Sequence, residues 1–279
     1  MWFAGTDPAL SSPMSVCSLP ESRLGVQTVG FYRRTMETLK RGSVDFLVGG
    51  AYAYECYTGI ARDTKDFDLF VRREDRYHAL ETLAAAGYRT EMSFPHWLGK
   101  AHAGDSFIDV IFGSGNGIAI VDEAWFEHAV PAEVFGDLVK LCPPEEMIWS
   151  KAFIMERERF DGADVAHLIH ARAEQLDWAR LLARFGDHWR VLLSHLVLFG
   201  FIYPCERRRI PSDVMNDLVG RLHAESVNPR PAGRVCQGTI LSRAQYLPDL
   251  QQAGYEDARL VPRGAMTADD IALWTSAIE

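Results

Sequence analysis

The chain has 279 residues, of which 48% are hydrophobic and 24% charged, and its formal net charge is −9. This balance is typical of a folded globular protein and excludes a disordered or fibrous chain. A single core rarely grows beyond roughly 250–300 residues, so we predict two domains. The negative charge argues against a protein that binds long stretches of nucleic-acid backbone, which requires a basic surface, and it favours a small or compact substrate.

The cysteines and the apolar segments indicate a cytoplasmic protein. Five cysteines are scattered without a Cys-x-x-Cys pair, namely Cys17, Cys56, Cys142, Cys205 and Cys236. They predict reduced thiols, neither a disulfide framework nor a zinc site. The first 13 residues lack the pattern of a secretory signal. The longest apolar run, residues 191–203, is too short for the roughly 20 residues that span a bilayer, and we predict a buried helix and no membrane association.

Hydrophobic periodicity predicts alternating helices and strands in the first half of the chain. In order, these are a helix over residues 25–40, a strand over 44–48, a helix over 51–57, a strand over 66–72, a helix over 74–86 and a strand over 107–112. Gly49 and Gly50 form the turn between the first strand and the second helix. We assign residues 25–141 to a first domain, preceded by a flexible segment over residues 1–24.

The pattern changes after Pro143 and Pro144, where it becomes almost entirely helical. We therefore predict a helical second domain over residues 142–279. Its end is an irregular tail rich in proline and glycine. Thr267 and Asp270 provide the N-cap signal of a last helix.

Three carboxylates in the first domain form a candidate metal site. Asp66 and Asp68 lie two residues apart on a predicted strand and so project from the same face, and Asp109 lies on another strand. Mg²⁺ prefers oxygen ligands and leaves room for substrate phosphates. In a two-metal site, one ion lowers the pKa of the attacking hydroxyl and the other neutralises the triphosphate. We expect Asp66, Asp68 and Asp109 to hold two Mg²⁺ ions.

Neighbouring residues are candidates for binding phosphate. Gly49 and Gly50 allow the backbone to approach a phosphate at the start of a helix. Arg62 and Lys65 flank the carboxylates and can serve the triphosphate, although a charged loop is also commonly only solvated.

Lys151 falls inside the apolar arc of its predicted helix, so its ammonium should point toward the interior or a cleft. A cation there needs an anionic partner, which a nucleotide phosphate or Asp164 can supply. Asp164 can instead serve only to favour the start of its helix.

These motifs together resemble those of the DNA-polymerase-β-like nucleotidyltransferase superfamily. The resemblance is carried by FLVGGA at residues 46–51, RDTKDFDLFV at 62–71 and FIDVIF at 107–112. The Gly-Gly form is similar to lincosamide and aminoglycoside nucleotidyltransferases. Two later segments, CPPEEMIWSK at 142–151 and RFDGAD at 159–164, resemble the helical part of abortive-infection-type nucleotidyltransferase toxins.

The resemblance implies an α+β fold, with a mixed, mostly antiparallel sheet flanked by helices and followed by a mostly helical C-terminal domain. It implies transfer of a nucleoside monophosphate from an NTP to an acceptor hydroxyl or amine, with Asp66, Asp68 and Asp109 as catalytic residues and metal ligands. Gly49, Gly50, Arg62, Lys65, Lys151 and Asp164 would bind the nucleotide. We expect a small-molecule acceptor. One alternative is a toxin-like enzyme that modifies tRNA or protein. Another is an inert member that binds a nucleotide or partner, because Gly50 stands where many relatives have a phosphate-binding serine.

Overall fold

A mixed eight-stranded sheet forms the centre of the protein. The structure, a computed structural model, describes residues 17–19, 25–62, 64, 66–228 and 233–277. The strands lie in the order β1-β7-β8-β2-β3-β6-β5-β4. They are β1 (Ser18–Leu19), β2 (Leu47–Val48), β3 (Asp68–Phe70), β4 (Arg89–Phe94), β5 (Leu98–Ala103), β6 (Ser106–Ile111), β7 (Val130–Val134) and β8 (Asp137–Leu141). Four neighbouring pairs are antiparallel and three are parallel, which confirms the predicted mixed sheet.

Helices connect and cover these strands. They are α1 (Val26–Arg41), α2 (Gly50–Thr58), α3 (Arg76–Ala85) and α4 (Glu123–Glu127). The first three were predicted, with bounds that differ by a few residues. Because α2 begins directly after β2, the strand, glycine turn and helix follow one another as the sequence indicated.

The chain beyond the sheet is mainly helical, as predicted. Its elements are α5 (Pro144–Ala152), α6 (Gly162–Arg172), α7 (Trp178–Phe185), α8 (Trp189–Ile202), α9 (Ser212–Val227), β9 (Val235–Cys236), α10 (Gly238–Leu241), α11 (Leu247–Gln251), β10 (Glu256–Asp257) and α12 (Ala268–Ser276). A capping box between Thr267 and Asp270 starts α12, which confirms the predicted N-cap. Side chains from both sides of residue 142 join one hydrophobic cluster, in which the buried Leu141 and Cys142 lie with Ile148.

The predicted burial of residues 191–203 is wrong for one side of the helix. Within α8, Leu192, Leu196 and Phe199 are buried, whereas Val197 and Phe201 are 57% and 79% exposed. Full burial was predicted because α8 is apolar nearly all round. In the structure, only the side that packs on other helices is buried. Among the described helices, none combines the length and apolar character that a membrane span requires.

The prediction that all five cysteines are reduced is also wrong. Cys17 and Cys56 form a disulfide, with Cα atoms 5.5 Å apart. The two residues are 39 positions apart in the sequence, and only the fold brings them together, since β1 pairs with β7 next to α2. Ser18 and Leu19 thus belong to the sheet, although the sequence placed them in a flexible segment.

Candidate active site

Strand β3 separates apolar side chains from carboxylates. Phe67, Leu69 and Val71 are fully buried on one side, while Asp68 faces the other and is partly exposed. The predicted period-two pattern is therefore confirmed. Asp66 is exposed and precedes the strand, and its backbone N–H donates to Thr64 Oγ1 at 3.0 Å. This local turn fixes the backbone of Asp66 just before the strand begins.

Asp68, Asp109 and Lys100 form a row across three neighbouring strands. Asp68 on β3 pairs in register with Asp109 on the parallel strand β6, and Asp109 pairs with Lys100 on the antiparallel strand β5. Partners in register project from the same face of a sheet. Lys100 Nζ donates to Asp109 Oδ1 at 2.6 Å. The predicted carboxylates therefore come together, accompanied by a lysine that the sequence analysis did not select.

The crowded carboxylates have raised pKa values. Burial, reinforced by the negative charges of Asp109 and Asp66, raises the pKa of Asp68 to about 7. Burial also raises the pKa of Asp109, against the hydrogen bond and charge of Lys100. The acidic cluster therefore has a surplus of negative charge that a bound cation would relieve.

The Gly49-Gly50 turn lies against this cluster. Gly50 has a φ of +54°, and a Cβ built on it would lie 1.7 Å from Asp68 Oδ2. At Gly49, a Cβ would lie 2.2 Å from Cε2 of Phe70. Position 50 therefore favours glycine through both its φ and its packing, and a larger residue at position 49 would require the Phe70 ring to move. The Gly49 N–H donates to the backbone oxygen of Asp68 at 3.0 Å, so it is engaged in the sheet.

A second charged cluster links the helical part to the loop before β3. Lys151 Nζ donates to Asp161 Oδ2 at 3.0 Å and to Asp164 Oδ2 at 2.8 Å. Arg62 forms a two-pronged contact with Asp164, and Arg159 forms one with Asp161. The inward direction predicted for Lys151 is confirmed, and Asp164 is one of its two anionic partners. Three cations thus surround two carboxylates, which leaves one positive charge in excess.

This second cluster interacts electrostatically with the acidic one. Burial opposes ionisation of Asp164, but hydrogen bonds from Arg62 and the charge of Lys151 outweigh it and lower the pKa of that carboxyl. The charge of Lys151 also favours the ionised form of Asp68. The three cations Lys151, Arg62 and Arg159 are referred to below as the basic wall, and through Lys151 this wall acts electrostatically on Asp68. Lys65, which the sequence also selected, lies outside the described residues.

The donor chemistry of the acidic cluster fits a divalent cation. Carboxylate oxygens are the ligands of Mg²⁺, and one or two of them suffice when phosphates complete the shell. Asp66 is exposed and Asp68 is partly exposed, whereas Asp109 is held by Lys100. Among the described residues, no three His, Cys, Asp or Glu side chains form a group arranged to hold a metal ion. Asp66 and Asp68 are therefore the pair that would hold such an ion, together with a ligand.

The structure adds residues that the sequence analysis did not place in the site. Lys100 was missed because β5 was not predicted, and a lysine is informative only when its strand and register are known. Asp161 lies in the segment over residues 159–164 that carried the resemblance, but it was not selected as a site residue. Its spacing from Asp164 places both carboxylates at the first turn of α6, where Lys151 bridges them.

Comparison with known proteins shows what the chain is similar to. No curated protein matches the chain. The solved structures that resemble it include the antibiotic-resistance factor ANT(2'')-Ia, at 17% identity and a TM-score of 0.44, covering 62% of this chain and 98% of that one. Another is the lincosamide antibiotic adenylyltransferase LnuA, at 12% identity and a TM-score of 0.36, covering 52% and 96%. An antigenic nucleotidyltransferase-like protein from Paracoccidioides brasiliensis has 15% identity and a TM-score of 0.44, covering 67% and 93%.

The family model described as uncharacterised nucleotidyltransferase matches residues 40–192, which is more than half of the 279 residues. The matched range includes the glycine turn, the three carboxylates of the acidic cluster and the basic wall. The chain belongs to this nucleotidyltransferase family.

Proposed function

We propose that the protein transfers a nucleoside monophosphate from an NTP to a small-molecule acceptor and that the acidic cluster of Asp66, Asp68 and Asp109 is its active site. The observation that carries this proposal is the row of Asp68 and Asp109 on adjacent strands, with the glycine turn packed directly on Asp68, in a chain of this family.

Asp66 and Asp68 would hold a divalent cation, for which Mg²⁺ is the expected species. Such an ion, when bound, neutralises charge on the triphosphate and on the leaving pyrophosphate. The raised pKa of Asp68 supports this assignment, because closely placed carboxylates are more readily ionised when a cation lies between them.

The start of α2 and the basic wall would bind the triphosphate. The Gly49 amide is engaged in the sheet, so the amides that remain to contact phosphate begin with Gly50, at the positive end of the helix dipole. Lys151 and Arg62 of the basic wall would provide positive charge for the triphosphate. Their cluster carries one more cation than anion, which supports an anionic ligand there.

Asp109 would act on the acceptor. In the proposed reaction, the acceptor oxygen or nitrogen attacks the α-phosphorus of the NTP and forms a new bond to it. The bond from the α-phosphorus to the bridging oxygen breaks, and pyrophosphate leaves. The acceptor's proton passes to the carboxylate of Asp109, whose raised pKa suits it to accept a proton.

A small acceptor is supported by the charge of the chain. A formal net charge of −9 disfavours a large nucleic-acid surface. The glycine at position 50 is explained by its φ of +54° and by the packing of Asp68 against it, which supports a structural reason for the missing serine.

Incubation with each α-labelled NTP, Mg²⁺ and separate pools of small molecules, tRNA and protein tests this proposal. We expect label in the small-molecule pool, and its loss in Asp66→Asn and Asp68→Asn. Label in tRNA or protein would show that the acceptor is a macromolecule and not a small molecule. Transfer that persists in both variants would refute the proposed active site.

A further inference from the structure

Lys100 forms an ion pair with Asp109, the carboxylate that a second metal ion would need as a ligand. Its Nζ atom lies 2.6 Å from Asp109 Oδ1, in a row that continues to Asp68. The resemblance to polymerase-β-like enzymes implied two ions shared by three carboxylates. In this protein, one of those carboxylates already has a cation.

The ammonium of Lys100 is held in place from two sides. Asp109 accepts its hydrogen bond, and the ring of Phe107 lies with its centroid 4.6 Å from the Nζ atom. The side chains of Lys100 and Asp109 are only 26% and 15% exposed. An ion pair that is mostly shielded from water is screened less than a surface pair, so it persists.

A divalent ion bound to Asp109 would lie beside this ammonium. Two cations on the same carboxylate repel each other, and the repulsion is strong where the effective dielectric constant is low. Among the described residues, no cation forms an ion pair with Asp66 or Asp68. Lys151, whose charge acts on Asp68, is bound by Asp161 and Asp164. The row of side chains therefore has room for one ion, at the end away from Lys100.

We propose that Lys100 takes the place of one of two metal ions, so that the site binds a single divalent cation through Asp66 and Asp68 while Lys100 positions Asp109. This inference rests on the proposed function. It makes Lys100 a positioning residue, which fixes the carboxylate that receives the acceptor's proton.

Equilibrium dialysis that counts the Mn²⁺ bound per chain tests the proposal without any turnover. It is run with a saturating NTP analogue, in which a methylene group replaces the α,β-bridging oxygen, and with a protein-free control. The proteins compared are the wild type, Lys100→Met, Asp109→Asn, Asp68→Asn and, as a matched control, Lys140→Met, which removes an exposed lysine on β8. Methionine keeps the length of the side chain and removes its charge. Circular dichroism checks the folding of each variant.

We expect one Mn²⁺ per chain in the wild type and in Lys140→Met, and two in Lys100→Met, where Asp109 becomes free. Asp109→Asn should keep the single ion with an affinity within about threefold, since Asp109 is not a ligand of that ion in this proposal. Asp68→Asn should bind none.

Two ions in the wild type, or one in a folded Lys100→Met, would overturn the proposal while leaving the proposed metal site in place. If Lys100→Met does not fold, Asp109→Asn decides, because loss of the ion there would show that Asp109 is a ligand. No Mn²⁺ in the wild type would refute the metal site of the proposed function as well as this inference.

Discussion

Gly50 and Asp68 are packed so closely that any side chain at position 50 would collide with the carboxylate, since a Cβ there would lie 1.7 Å from Asp68 Oδ2. Gly50 also has a φ of +54°, which disfavours every residue other than glycine. The turn is therefore shaped around the carboxylate that we assign to the metal ion.

Replacement of Gly50 by serine should abolish activity and lower the free energy of unfolding by about 2–4 kcal/mol, since backbone strain and a steric clash add together. Gly59→Ser is the matched control. Gly59 ends the same helix with a φ of +73°, and a Cβ there would meet nothing within 4 Å. Urea unfolding of both variants separates the cost of backbone strain, which both share, from the cost of the clash with Asp68, which only Gly50→Ser has. Equal losses of stability would show that the contact with Asp68 is unimportant.

Asp68→Asn should stabilise the metal-free protein at pH 8 by about 1–3 kcal/mol. The carboxyl titrates near pH 4 in the unfolded chain but at about 7 in the folded one. The folded state thus holds a proton that the unfolded state has lost, and stability is lost as pH rises toward 7. Asparagine has no proton to lose, so its advantage should vanish near pH 4.

Thermal unfolding in EDTA between pH 4 and pH 8 measures this difference, with the exposed Asp105→Asn as control. A stability difference between Asp68→Asn and wild type that does not depend on pH would contradict the raised pKa of Asp68. Added Mg²⁺ should stabilise the wild type at pH 8 and leave Asp68→Asn unchanged.

Lys151→Met should weaken NTP binding by tenfold or more and lower the free energy of unfolding by about 1–3 kcal/mol. The substitution leaves Asp161 and Asp164 with only one arginine each, and it removes the central cation of the basic wall. Equilibrium dialysis with labelled NTPs measures the binding, and Lys140→Met controls for the loss of a lysine. Unchanged affinity for NTP in a folded Lys151→Met would show that the basic wall does not bind the nucleotide.

Cys56→Ser should lower the free energy of unfolding by up to about 4 kcal/mol under oxidising conditions, as the chain-entropy model gives for a loop of this length. The disulfide joins β1 to α2 across 39 residues. In dithiothreitol, the variant and the wild type should unfold alike. Cys205→Ser removes an exposed free thiol and should have little effect in either condition. A variant as stable as the oxidised wild type would show that this link does not stabilise the fold.

The sequence was sufficient for those parts of the site that lie on strongly patterned segments. The alternation around Phe67 and Leu69 predicted the strand and the face on which Asp68 lies, whereas Asp66 precedes β3 in the structure. The apolar neighbours of Asp109 predicted β6. The inward direction of Lys151 followed from the spacing of apolar residues on α5.

The remainder depends on contacts between distant segments. Strand β5 reads LGKAHA, in which small residues replace the β-branched and aromatic side chains that mark a strand. The contact of Lys100 with Asp109 therefore could not be predicted without the pairing of β5 with β6. The disulfide between Cys17 and Cys56 was missed because the two cysteines are 39 positions apart, and nothing in the sequence near either one indicates that they pair.

The most direct test of the central claim compares ATP, CTP, GTP and UTP labelled at the α- or the γ-phosphate, with Mg²⁺ and a small-molecule pool. A nucleotidyltransferase should transfer the α-label and release the γ-label as pyrophosphate, and Asp68→Asn should do neither. Transfer of the γ-label to an acceptor, or α-label transfer that persists in Asp68→Asn, would contradict the assignment of this site.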